Sequence, residues 1–190
     1  MLAYSSISHA GFILIGIEAA AHITHKDASD GVSAIAVYLL LYAVLVCGTF
    51  AVVTALAKDA GGTELTDFAG SARRRPALAL GLTVLLLSQA GVPLTSGFVA
   101  KFGVIKSAVE VHSYAIALIA MLSAVIAAYL YLRIMVAVWL ADAPEENESA
   151  SPLPKSLSLS VILAVGFTLV VGIYPQWILS LGDSLSELIR

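Results

Sequence analysis

The chain has 190 residues, 59% hydrophobic and 12% charged, with a formal net charge of -3. A soluble domain of this length carries about 25% charged residues, so these figures, with a mean hydropathy of +0.95, exclude a water-soluble fold and define an integral membrane protein. The small net charge argues against a nucleic-acid partner, and the single cysteine, Cys47, excludes a disulfide framework or a thiolate metal cluster and reads as a small buried apolar residue.

The first apolar run, residues 2–24, opens with "MLAYSSISHAGF". It starts almost inside the bilayer, without the basic stretch or cleavage site of a signal peptide. Met1 is therefore expected to be internal to a longer polypeptide. Further spans should precede it, the nearest ending in basic residues. Intact-mass measurement of the assembled subunit checks this, and an active mature chain of 19.8 kDa would refute it.

Within this first span His9 and Ser5 lie one helical turn apart on one face. An imidazole titrates in the physiological range and can relay protons; a histidine hydrogen-bonded to a neighbouring helix is the equally supported alternative. Glu18 and His22 form a second i, i+4 pair nearer the end of the span, on the opposite face, and read as an interfacial ion pair rather than part of a path.

The second span covers 32–57. Tyr38 and Tyr42 within it are candidates for a water chain or for bonds between helices. The stretch that follows, "SARRRP", holds Arg73, Arg74 and Arg75 close to Lys58, whereas the opposite loops hold Lys26, Lys106 and the terminal Arg190. By the excess of Lys and Arg in cytoplasmic loops, the three arginines are topology anchors on the cytoplasmic side, and the C-terminus is external.

Residues 76–110 are too long for one straight crossing, since about 35 residues of helix extend for about 52 Å, and short for two. Pro93 lacks a backbone donor, and Gly91 and Gly97 weaken the helix around it. One tilted, discontinuous span with its break near 91–97 is expected. Lys101 follows the break, about nine residues or 14 Å from the outer end of the span, near mid-membrane. An ammonium at that depth faces protein or water and marks an ion path; snorkelling to the surface is the alternative, and the side chain is short for it. The break frees backbone groups, tolerable only where they line a cavity. A small hydrated gap in which Lys101 is loaded and emptied is expected. Ser88, Gln89, Thr95 and Ser96 are candidates to support it.

The remaining spans cover 113–140 and 157–174. Between them "APEENES" is a solvated acidic loop, and "YPQW" supplies interfacial aromatics. Ile178, Leu181, Leu185 and Leu188 then recur at helical spacing, so 178–190 is expected to lie along the membrane surface. No repeat and no low-complexity segment occurs. The fold class is an all-α bundle of five transmembrane spans, one of them discontinuous, forming a single transmembrane domain over 1–190.

"LAYSSISHAGF" followed by "AGVPLTSGFVAKF", with "YLYLRIMVAVWL" and "GIYPQW" downstream, resembles the antiporter-like membrane subunits of respiratory complex I over the whole chain. The lysine of "AKF" favours the subunit N branch over the M branch, where that place is acidic. The sodium/proton antiporter subunits of the Mrp type are the related alternative. The resemblance implies a proton channel of two inverted repeats, of which this chain carries most of the second plus a final helix. The first repeat, with its own broken helix, lysine and glutamate, is absent.

Lys101 and His9 match the family's polar axis for proton transfer; Glu18 lies outside its motif. The resemblance further implies a bacterial cytoplasmic membrane, protons as the transported species, and other antiporter-like and small membrane subunits as partners. NADH, FMN, iron–sulfur clusters and quinone would sit in partner subunits, with no cofactor, metal or redox site on this chain.

Overall fold

The computed structural model describes residues 2–22, 28–141 and 153–188, with the side chains of 28–30 and 186–188 left aside. Lys26, the loop "APEENES" and Arg190 lie outside these residues. Among the described residues eight helices follow one another: α1 Leu2–Ala21, α2 Ala28–Ala60, α3 Ser71–Arg74, α4 Pro76–Ala90, α5 Ser96–Glu110, α6 Tyr114–Leu140, α7 Lys155–Ile173 and α8 Gln176–Leu188. No strand occurs among the described residues. Prolines mark the boundaries: Pro76 opens α4 at a position that needs no backbone donor, and Pro154 and Pro175 precede α7 and α8. Helices α1, α2, α6 and α7 are long and apolar enough to cross a membrane, whereas the apolar α4 is shorter.

The axis of the bundle is α2, against which α1, α4, α5, α7 and α8 all pack. Its 33 residues extend for about 50 Å, well beyond a hydrocarbon core of about 30 Å. Two apolar cores lie along it. One joins Leu45, Val52 and Leu56 to Leu82, Leu85 and Leu86 of α4, Tyr131 of α6 and Val161 of α7. The other joins Phe12, Val37, Tyr38, Leu41, Val104 and Val171 to Ile178 of α8. Leucine, isoleucine and valine also crowd the outer faces: Leu14, Leu118, Leu122, Val125, Ile126 and Ile162 are all exposed. Such a surface is stable only against lipid or further helices.

The two ends of the bundle differ. At one end Arg75 reaches Asp59 at 2.6 Å, both side chains largely withdrawn from solvent, and Trp139 Nε1 donates to Thr83 at 2.8 Å. Arg75 thus clamps α2 to the start of α4, while Arg73 is exposed. At the other end Ser113, just before α6, donates to Glu18 of α1, and Ser33 of α2 donates to Asp183 of α8.

Two expectations change. Cys47 is exposed on the outer face of α2, because the turn that buries Leu45, Thr49 and Val52 directs it away from the core. The apolar stripe of α8 divides: Ile178 is fully buried against α2, whereas Leu181 and Leu185 stay 45% and 40% exposed. The contact line runs instead through Gly182, where an added Cβ would strike Val37 and Ser33.

Candidate functional site

Helix α4 ends because Gly91 takes a left-handed conformation, φ 92°, which glycine adopts without a side-chain clash. Its N–H bonds the carbonyl of Ser88 at 2.9 Å, and that of Val92 bonds Leu87 at 3.1 Å, the paired arrangement of a Schellman stop. Two carbonyls of the last turn, Gln89 and Ala90, remain without an intrahelical donor. Lys101 Nζ meets both, at 2.7 and 3.1 Å, from the second turn of α5. The ammonium thereby caps the negative end of the α4 dipole, where a cation is favoured.

The start of α5 is held in the converse way. Gly97 N–H donates to Ser88 Oγ at 2.9 Å, so a side chain of α4 caps α5. Ser96 sits 3.3 Å from the same hydroxyl and donates to Thr168 of α7 at 3.4 Å. Thr95 Oγ1 bonds the carbonyl of Val92, and Pro93 occupies the connecting turn. Gln89 sends its amide to Thr49 of α2 at 2.6 Å. The Gln89 and Ala90 carbonyls are thus met by Lys101, the Val92 carbonyl by Thr95 and the Gly97 N–H by Ser88. The turn itself is tightly wedged: a Cβ on Gly97 would fall on the carbonyl of Ser88, and one on Gly172 on that of Leu94.

A second polar group lies across Phe12. His9 is 4% exposed, and its Nδ1 is 2.7 Å from Tyr38 OH, its Nε2 3.1 Å from Tyr131 OH. Tyr131 also bonds Ser5, and Tyr42 stacks on the imidazole at a centroid distance of 4.5 Å. Because a phenol both donates and accepts, either tautomer of His9 is satisfied on both nitrogens. Phe12, one turn beyond His9, stacks on Tyr38 and lies with its ring centroid 5.1 Å from Lys101 Nζ. The cation therefore has a carbonyl pair on one side and an aromatic face on another.

Ser5, His9, Ser88, Gln89, Thr95, Ser96 and Lys101 are all buried. They form two clusters, with Ser5 and His9 in one and the rest in the other. Tyr131, Thr49 and Thr168, which the sequence reading passed over, complete them. Tyr131 is the central omission, since it links Ser5 to His9. The sequence marks it no more than Tyr129, two residues earlier in the same span.

By class, the described helices make a polytopic helical membrane protein with a lysine buried at a helix-helix junction and a histidine hydrogen-bonded to two tyrosines beside it. The family model described as NADH:quinone oxidoreductase/Mrp antiporter, TM, matches residues 1–127. The chain belongs to this family. It is 41% identical over 193 residues to NADH-quinone oxidoreductase subunit N 3 of Streptomyces griseus, covering 100% of this chain and 33% of that protein. Subunit N 1 of Herpetosiphon aurantiacus is also 41% identical, covering 97% and 36%. The chain thus spans about a third of the length of the curated relatives it matches, in their C-terminal part. Among solved structures, a chain of respiratory complex I from Thermus thermophilus superposes with a TM-score of 0.75 at 27% identity, covering 94% of this chain and 38% of that one. A chain of the Mrp complex from Dietzia sp. superposes with a TM-score of 0.82 at 21% identity, over 97% and 41%, and shares the fold.

Proposed function

We propose that this chain is part of a proton-translocating membrane subunit of NADH:quinone oxidoreductase, and that protons pass by way of Lys101 and His9. The observation that carries the reading is the burial of Lys101 against two helix-end carbonyls, with no carboxylate of the described residues among its hydrogen bonds. An amine so held keeps its partners only as a donor. A small separation of α4 from α5 withdraws the carbonyls and favours release of the proton, and their return favours uptake. The chain Ser5–Tyr131–His9–Tyr38 conducts a proton by successive turns of hydroxyls and imidazole. Ser88, Gln89, Thr95 and Ser96 hold the junction in register.

In this reading α4 and α5 are the halves of one discontinuous span. Each has 15 residues, about 22 Å, which falls short of a hydrocarbon core of about 30 Å. With α1, α2, α6 and α7 they make five spans of a single transmembrane unit over 1–190, the second inverted repeat plus a final helix. The end with Arg73, Arg74 and Arg75 faces the bacterial cytoplasm, and the C-terminus is external. Other antiporter-like and small membrane subunits are the partners; NADH, FMN, iron–sulfur clusters and quinone act in partner subunits, and the chain has no redox site of its own.

Vectorial labelling tests the orientation. Arg74→Cys should react with impermeant thiol reagents from the cytoplasmic side alone, as should Ser149→Cys outside the described residues, and Ala28→Cys from the external side alone. Labelling of Arg74→Cys from outside intact cells would invert the arrangement.

The function is tested in inverted membrane vesicles. NADH should drive lumenal acidification without sodium, and removal of this subunit should lower the number of protons moved per quinone reduced. An unchanged ratio would refute the reading. Sodium-dependent proton exchange without NADH would instead carry the Mrp-type antiporter reading, which the family description also accommodates.

A further inference from the structure

Glu18 does not sit as a surface ion pair alone. Its side chain is 28% exposed, and its two carboxyl oxygens stand in different surroundings. Oε1 accepts a 2.6 Å bond from Ser113 and lies 3.5 Å from Nδ1 of His22, a residue 51% exposed. That nitrogen is closer, 3.0 Å, to the Glu18 carbonyl. Oε2 is sealed from solvent and has no hydrogen-bond partner; among the described residues it is the one buried side-chain oxygen or nitrogen left so. A charged carboxylate seeks a donor at each oxygen. The other charged groups described at this end are engaged: Lys106 with Glu110 at 3.2 Å, Asp183 with Ser33 at 2.9 Å. His112, just past α5, is exposed and packs edge-on against Tyr114.

The position of this carboxyl follows from α1 and α5 running side by side in the same direction. Phe12 meets Lys101, Gly16 closes on Val104, and Glu18 reaches Ser113 beyond the end of α5. Glu18 is six residues beyond Phe12, an axial distance of about 9 Å. Between them the contact is apolar, with Val104 and Ala108 fully buried. The first ionisable group met along α1 from Lys101 toward this end is therefore Glu18, half inside the bundle and joined to an exposed imidazole.

We propose that Glu18 is the proton-release group of the outer end, resting on the reading of Lys101 as the carrier. The Lys101 ammonium gives up one proton to the Glu18 carboxylate through water admitted when the apolar seam between α1 and α5 opens, leaving a neutral amine and a carboxylic acid. The acid then loses that proton to His22 or external water and returns to carboxylate, and the amine is reloaded from the His9 side. No electrons move and no heavy-atom bond changes.

The test is Glu18→Gln in the full-length subunit within the assembled complex. The amide still accepts from Ser113 and keeps the size of the side chain, but carries no exchangeable acid. NADH-driven acidification should fall by about fivefold or more at unchanged assembly, and Glu18→Asp should restore most of it. Ser113→Ala removes the inter-helix bond while keeping the carboxyl, and should lose clearly less pumping than Glu18→Gln. If Glu18→Gln pumps at the parent rate while Lys101→Arg does not, the release role is refuted and the carrier reading stands. If both pump fully, the carrier reading falls as well. A loss in Ser113→Ala equal to that in Glu18→Gln would make Glu18 a structural tie and overturn the proposal. Should Glu18→Gln fail to assemble, infrared difference spectra of the parent under turnover decide. A protonated-carboxyl band that changes frequency in Glu18→Asp supports the proposal, and its absence overturns it.

Discussion

Lys101→Arg should assemble at the parent level and pump protons more slowly by about tenfold or more. The guanidinium keeps the positive charge and the donors that Gln89 and Ala90 need, so the end of α4 remains capped. It does not lose its proton in proteins, so a carrier step at this position stops. Lys101→Met is the harsher companion. It removes the titrating group but also leaves two buried carbonyls without their donor, at about 1–3 kcal/mol each. Part of its deficit should therefore appear as reduced assembly, and pumping has to be normalised to assembled complex. Lys101→Glu keeps a group that can carry a proton, but only its protonated form can donate to the Gln89 or Ala90 carbonyl, so it should assemble less well than Lys101→Arg and keep at most partial pumping. NADH-driven acidification in inverted vesicles reads all three. Full-rate pumping by Lys101→Arg would reduce the lysine to a helix cap.

Gly97→Ala should remove most of the assembled protein. The added methyl would overlap the Ser88 carbonyl, which is backbone and cannot rotate away. The start of α5 would have to lift from the end of α4, breaking the Gly97–Ser88 bond and drawing Lys101 off its carbonyls. Overpacking of this kind costs about 1–3 kcal/mol by itself, and the three lost hydrogen bonds raise the total beyond about 4 kcal/mol. Gly172→Ala should behave similarly, since its methyl would strike the Leu94 carbonyl and Thr95 nitrogen. Gly11→Ala and Gly166→Ala have nothing within 4 Å of the new methyl and should be neutral. Thermal unfolding and yield of the purified complex measure the series. Equal stability of Gly97→Ala and Gly166→Ala would show that the α4–α5 junction is loose.

What the sequence by itself determined are the features that depend on neighbours along the chain. Uninterrupted leucine, valine, isoleucine and alanine define helices long enough for a bilayer, because only a helix satisfies its own backbone there. Glycine and proline at 91–97 mark where α4 stops, because φ freedom and a missing N–H act on the residue that carries them. The placement of Lys101 in the second turn of the helix after the break follows from counting residues. The tertiary structure alone decided what those residues meet. Lys101 finds carbonyls 11 and 12 positions upstream, and His9 finds Tyr131 122 positions downstream, since helix packing, with no periodic signal in the sequence, sets which faces touch. It also decided that Cys47 faces outward, that α8 docks through Ile178 and Gly182, and that Glu18 turns toward Ser113. A side chain of an all-round apolar helix has no sequence cue to inside or outside, so those assignments wait on the neighbouring helices.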